Sequence, residues 1–160
     1  MMSAVRQAVS LVLSVAICFA AAGLGSLFTR PAIEGWYASL HKPSWSPPNW
    51  IFAPVWTALY LGMAIAVWLV WRQVGFSGAK LPLALFLSQL ALNVAWTGIF
   101  FGLHLPGAAF VEIVFLWLFI LATAVAFWPI SRAAAWLMLP YLLWVTYAAG
   151  LNCSIWRLNV

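Results

Sequence analysis

Residues 36–60 read WYASLHKPSWSPPNWIFAPVWTALY, and the fold of the chain turns on how this stretch is taken. It sets Trp36, Trp45, Trp50 and Trp56 together with Pro43, Pro47, Pro48 and Pro54 between one long apolar run and the next. Proline at this density denies an ordinary helix its amide donors, and so many indoles make a poor solvated loop. Amphipathic indole rings settle at the boundary between hydrocarbon and water. The stretch therefore reads as a partly ordered lid lying at a membrane surface and covering something beneath it.

The composition on either side of the lid agrees. Hydrophobic residues make up 67 % of the chain and charged residues 6 %, with a mean hydropathy of +1.06. Soluble domains run at about 45–50 % apolar and about 25 % charged. The chain is thus an integral membrane protein, and its 160 residues make one domain, 1–160. The net charge of +5 comes from scattered Lys and Arg against only Glu34 and Glu112. No basic cluster of the kind nucleic acid requires is present, so the positive charges read as membrane flanks. Cys18 and Cys153 lie in apolar surroundings, where a thiol behaves as a small hydrophobe. Arg6 ahead of the run Ala8 to Phe28 resembles a signal peptide, but the run is long enough to span a bilayer, and a retained first helix is expected.

Hydropathy separates five segments of spanning length, about residues 6–28, 51–71, 81–102, 107–128 and 133–157, with the lid loop at 29–50. Each holds about 20 predominantly apolar residues, enough for a helix to cross hydrocarbon. Helices satisfy their backbone internally, and the alternation of a barrel strand is missing. The predicted fold is all-α, a bundle of five transmembrane helices with a long Trp/Pro-rich first loop as lid. Turn residues fall at Gly75 to Gly78, at Pro106 and Gly107, and at Pro129 and Ser131. Those three loops are short, which predicts successive helices as antiparallel neighbours. Arg6, Arg72, Lys80 and Arg132 fall on one side of the membrane and Arg30, Lys42 and Arg157 on the other, a split too even to set orientation.

Ala21 with Gly25 and Gly98 with Gly102 are small pairs where helices approach closely, either inside the bundle or along a homodimer seam. Pro140 is expected to kink the fifth span or leave a carbonyl unpaired, opening space in the bundle. Hydrolytic catalysis has no support: there is no carboxylate pair, no Ser, His and acid grouping and no metal-ligand spacing. Glu112, the acid inside a span, is open to a pathway or binding role or to a structural pairing. His41 and His104 lie in the first and third loops and read as interfacial rather than as haem ligands. Gln89, Asn93, Trp96, Thr97 and Phe100 repeat at three- and four-residue spacing and share a helical face that must point inward. The fifth span adds Trp136, Trp144, Tyr147 and Asn152, and the second adds Trp56, Tyr60 and Met63. These rings and amides either fill an ordinary core or line a pocket for a large, flat, apolar ligand.

The chain resembles the translocator protein / tryptophan-rich sensory protein family, also called the peripheral-type benzodiazepine receptor family. The resemblance rests on WYASLHKPSWSPPNW with the following PVWTALY, on LNVAWTGIFFG at 92–102 and on LPYLLWVTYAAGLN at 139–152. It implies a five-helix bundle, usually dimeric, whose pocket is closed by the first loop. It also implies binding of porphyrins such as protoporphyrin IX and haem and of synthetic isoquinoline and benzodiazepine ligands, with no cofactor required. Carried over position by position, the resemblance makes Trp56 and Asn93 polar contacts and Trp144 an aromatic wall. Trp45, Pro47 and Pro48 belong to the lid, Tyr60 and Ala148 to the lining, with Trp96 and Tyr147 beside them. Some bacterial relatives degrade protoporphyrin IX in light, and the matching tryptophans here are Trp56 and Trp144. The ligand's carboxylates are expected at the mouth, beside Lys42 or Arg30. The animal proteins' proposed cholesterol motif is broken, since residues 151–157 read LNCSIWR and lack its tyrosine. Three roles follow as alternatives: a receptor or transport-like protein for porphyrins, a light- and oxygen-dependent porphyrin-degrading enzyme, and a ligand-regulated signalling or scaffold subunit.

Overall fold

A computed structural model describes residues 4–160. Five helices are long and apolar enough to cross a membrane. They are α1 (Ala4–Ile33), α3 (Phe52–Gly78, entered through a 3-10 turn at Asn49–Ile51), α4 (Lys80–Thr97), α5 (Pro106–Phe127) and α6 (Arg132–Leu158). Between α1 and α3 runs a strap with one helical turn, α2 (Trp36–Ser39), and an irregular, proline-rich remainder. The described residues include no strand. The first helix is longer than its hydropathy suggests: it runs on to Ile33, so the strap is shorter than residues 29–50.

The helices form a closed ring in which α1 packs on α3 and α4, α3 on α6, α6 on α5, and α5 on α4. This corrects one expectation. α3 and α4 are joined by a short turn, yet they touch only sparsely. Gly75 provides the reason: its φ of +68° and ψ of −178° break the helix before its last residues, a conformation open to glycine without a Cβ penalty. The chain can therefore turn away from the α3 axis and cross to α4 with α1 between them. α6 runs without interruption from Arg132 to Leu158 with Pro140 inside it.

The end of the ring away from the strap is solid. Val70, Phe86, Phe127 and Met138 are fully buried or nearly so, and Phe86 and Phe127 stack with centroids 6.2 Å apart. On the strap side, small residues bring α1 against α4. A Cβ on Gly25 would sit 3.5 Å from Thr97 Oγ1, one on Gly98 3.7 Å from the Phe28 ring, and one on Gly102 2.9 Å from it. These glycines thus serve packing within the chain, the first of the two readings of the small pairs. Past Thr97 the last turn of α4 widens into a π-helical segment, Gly98–Gly102, with Leu103 N donating to Gly98 O (2.8 Å). Such wide turns re-aim side chains, and here Phe100 and Phe101, with centroids 4.8 Å apart, both face the interior. Indoles mark both ends of the bundle: Trp45 and Trp50 on the strap are exposed, as are Trp128 and Trp136 at the opposite end.

Candidate functional site

Four helices and the strap enclose a cavity of about 500 Å³ at the strap end of the ring, within the range of about 300–1,000 Å³ usual for small-molecule sites. α1 supplies a wall with little bulk. Ala22, Ser26 and Thr29 recur with Phe19 and Ile33 at helical spacing, and small side chains on that face leave the space that α3 and α6 then border with aromatics. α5 contributes nothing to the lining; it supports α4 and α6 from behind.

The floor is a hydrogen-bonded chain across three helices. Tyr60 Oη donates to Asn93 Oδ1 (2.6 Å) and Asn93 Nδ2 donates to Tyr141 Oη (2.9 Å). All three residues are buried, so each polar atom in the chain needs its partner. Asn93 is therefore held between two tyrosines, and its contact with any ligand is limited to the capacity these bonds leave. Trp96 is similarly committed, because its Nε1 donates to Asn152 Oδ1 (3.0 Å), while Asn152 Nδ2 donates to Pro106 O (2.7 Å). Trp56 and Trp144 differ. Both line the cavity, and among the described residues neither indole nitrogen has a partner; that of Trp144 is fully screened from solvent. Trp56 rests on Tyr60 and Tyr141 (centroids 5.8 and 6.2 Å) and Trp144 on Phe52 and Tyr147 (6.2 and 5.5 Å).

Of the residues singled out from the sequence, Trp56, Tyr60, Asn93, Trp96, Trp144 and Ala148 meet around this one cavity. Trp45, Pro47, Pro48 and Tyr147 do not line it. Instead Tyr147 Oη donates to Trp45 O (2.9 Å), and the two rings pack edge to face at 5.5 Å. Pro47 and Tyr147 border a shallower apolar groove of about 570 Å³ on the outer side of α3 and α6, with Trp144 as the wall common to both spaces. Trp136 lies exposed at the far end of the bundle and has no part in the site, and Met63 is buried outside the lining. His104 stacks on Trp36 (4.3 Å) and His41 is tied through its backbone, so neither imidazole reaches the cavity. Both carboxylate oxygens of Glu112 are buried without a partner, away from the lining.

The strap is fastened at several points. Asn159 clamps His41 from both sides, accepting from His41 N (3.0 Å) and donating to His41 O (2.9 Å). Tyr37, on α2, turns its ring into the cavity wall and against Phe101 (5.6 Å). Burial pushes its phenol above the ordinary range, against the opposing hydrogen bond with Ser46, so it stays neutral at physiological pH. Sequence reasoning missed Tyr37, Tyr141 and the α1 wall. The recurrence of small residues with Phe19 and Ile33 was a readable signal for that wall. Tyr141 had none apart from its neighbours.

Comparison with known proteins gives the same answer from several directions. Residues 14–157 match the TspO/MBR family. The chain is 40 % identical to the tryptophan-rich protein TspO of Chlorobaculum tepidum, over 96 % of this chain and 98 % of that one. It is 43 % identical to the translocator protein of Homo sapiens, over 85 % and 82 %, and 40 % identical to the tryptophan-rich sensory protein of Cereibacter sphaeroides, over 90 % and 87 %. With five membrane-spanning helices, a tryptophan-rich strap and a match across nearly its whole length, the chain belongs to the TspO/MBR family.

Proposed function

We propose that the protein is a membrane receptor or transport-like protein whose cavity binds porphyrins, protoporphyrin IX or haem, and related flat hydrophobic ligands. The observation that carries this reading is that the indole rings of Trp56 and Trp144 meet on the lining of one cavity built mainly of aromatic and aliphatic side chains. Affinity comes from burying the macrocycle against these rings, at about 25 cal/mol per Å² of apolar area. The test is a titration of the detergent-solubilised protein with protoporphyrin IX in the dark, followed by tryptophan fluorescence. Trp144→Ala is expected to weaken binding about tenfold or more; wild-type affinity in that variant refutes the assigned pocket.

A second reading, photo-oxidative degradation of the porphyrin with oxygen, draws on the same two tryptophans lining one cavity. An excited porphyrin can be quenched or reduced by an adjacent indole. Illumination of the complex in air distinguishes the two: a new product that disappears in the Trp56→Phe, Trp144→Phe double variant supports catalysis, and porphyrin bleaching at the same rate without protein counts against it. The third role, a ligand-regulated signalling subunit, requires a membrane partner whose recovery depends on porphyrin. A homodimer remains part of this reading, in keeping with the family resemblance.

A further inference from the structure

We infer that the cavity selects a ligand carrying a carboxylate, and that Arg30 with Asn49 forms the anion subsite at its mouth. This deepens the porphyrin reading and rests on it. Arg30 is the one formally charged side chain among the described residues that line the cavity. It lies in the last turn of α1, on an exposed position at the strap end, where a charged ligand group keeps contact with water while the apolar body extends toward Trp56 and Trp144. Glu34 is one helical turn further on, yet Arg30 forms no ion pair with it and no hydrogen bond with any described residue. A guanidinium bordering an apolar cavity and left without a partner is suited to a carboxylate, which it can grip through two parallel N–H groups.

The neighbouring groups narrow the assignment to these two residues. Ser26, Thr29 and Thr57 also line the cavity, but their hydroxyls already donate to Gly23, Gly25 and Ala53 carbonyls (2.7, 3.1 and 2.8 Å). They present lone pairs, not donors. Lys42, the other cation expected at the mouth, is absent from the lining. Its Nζ donates to Leu40 O (3.2 Å) and Ala38 O (3.5 Å) and sits 4.8 Å over the Tyr37 ring. Asn49 opens the 3-10 turn before α3 and lines the cavity with its side-chain amide unengaged. The ordinary role of an arginine at this depth, reaching for the interface from a helix end, makes no distinction between ligands. Selection by ligand charge does.

The experiment compares protoporphyrin IX with its dimethyl ester, both titrated in the dark against the full-length protein in phosphatidylcholine nanodiscs. The expected result is that wild type prefers the diacid about tenfold or more, consistent with a hydrogen bond to a charged group. Arg30→Gln should lose that preference while binding the diester as before, Arg30→Lys should keep part of it, and Lys42→Gln should keep all of it. Equal wild-type affinity for acid and ester overturns the anion subsite and leaves the cavity reading standing. Equal weakening of both ligands by Arg30→Gln, or a loss in Lys42→Gln as large as in Arg30→Gln, also overturns it. Binding of neither porphyrin overturns the cavity reading and the subsite together. Nanodiscs containing phosphatidylglycerol form the last arm: discrimination persists if the subsite is for the ligand, and its disappearance there assigns Arg30 to lipid headgroups.

Discussion

Replacing Asn93 by leucine should destabilise the bundle far more than the size of the change suggests, and removing its two tyrosine hydroxyls as well should restore most of the loss. Asn93 accepts from Tyr60 at 2.6 Å and donates to Tyr141 at 2.9 Å, joining α3, α4 and α6 at a level where all three side chains are buried. Interhelical hydrogen bonds in membranes average about 0.6 kcal/mol and reach about 1.7 kcal/mol, so two of them contribute about 1–3 kcal/mol. Asn93→Leu further leaves two buried hydroxyls unpaired, each costing about 1–3 kcal/mol when no alternative partner is available. The sum is about 3–9 kcal/mol, reduced to the extent that the helices stay formed and find other partners in the unfolded reference. Tyr60→Phe and Tyr141→Phe alone should cost about 1–3 kcal/mol each, because each leaves only one group of Asn93 unanswered. The triple variant Tyr60→Phe, Asn93→Leu, Tyr141→Phe leaves no orphaned polar group from this network and should recover to within about 1–2 kcal/mol of wild type. Unfolding in mixed detergent and SDS micelles, read by circular dichroism, gives all of these values. A triple variant at least as unstable as Asn93→Leu would refute the reasoning, since it would mean that packing at this level, not hydrogen bonding, holds the floor of the cavity.

Further outcomes follow from other contacts. Asn159→Ala releases both bonds to His41; at about 1 kcal/mol for the exposed pair, porphyrin should dissociate about fivefold faster in stopped flow, with helix content unchanged. Glu112→Leu removes two buried, partnerless carboxylate oxygens and should raise the midpoint of thermal unfolding by about 2–4 °C per kcal/mol gained, leaving porphyrin affinity at the wild-type value. Gly107→Ala places a Cβ 2.8 Å from Trp156 Nε1 and 2.9 Å from its Cε2. Overpacking at about 1–3 kcal/mol then exceeds the gain in helix propensity of about 1 kcal/mol, and Trp156→Leu should reverse the sign in the same thermal assay.

What could be read from the residues follows the physics of each signal. Lipid forces any spanning segment to be long, apolar and internally bonded, so the five helices stood out from hydropathy alone. The inward face of α4 was equally legible, because Gln89 and Asn93 cannot face hydrocarbon unaccompanied; both are buried, with Asn93 paired to tyrosines and Gln89 Nε2 reaching Met63 Sδ at 3.7 Å. Ring order was not legible. A short loop suggests neighbours, but the left-handed Gly75 lets the chain step past α1, and nothing in the residue types reveals that path. Nor did composition separate indoles that line the cavity from those that fasten the strap: Trp45 and Trp144 lie in equally aromatic stretches, and only the position of Tyr147, bonded to Trp45 O and packed on Trp144, divides them. Likewise Lys42 and Arg30 looked interchangeable as cations until the strap folded Lys42 back onto its own carbonyls.

The central claim is that a flat tetrapyrrole occupies the space bounded by α1, α3, α4, α6 and the strap. Ala148 is half-buried on that lining, and its replacement by tryptophan sets an indole into the space the ligand would take. A dark titration with protoporphyrin IX should show saturable, one-to-one quenching in wild type and none in a folded Ala148→Trp protein at the same concentrations. Undiminished quenching in the folded Ala148→Trp protein would contradict the account.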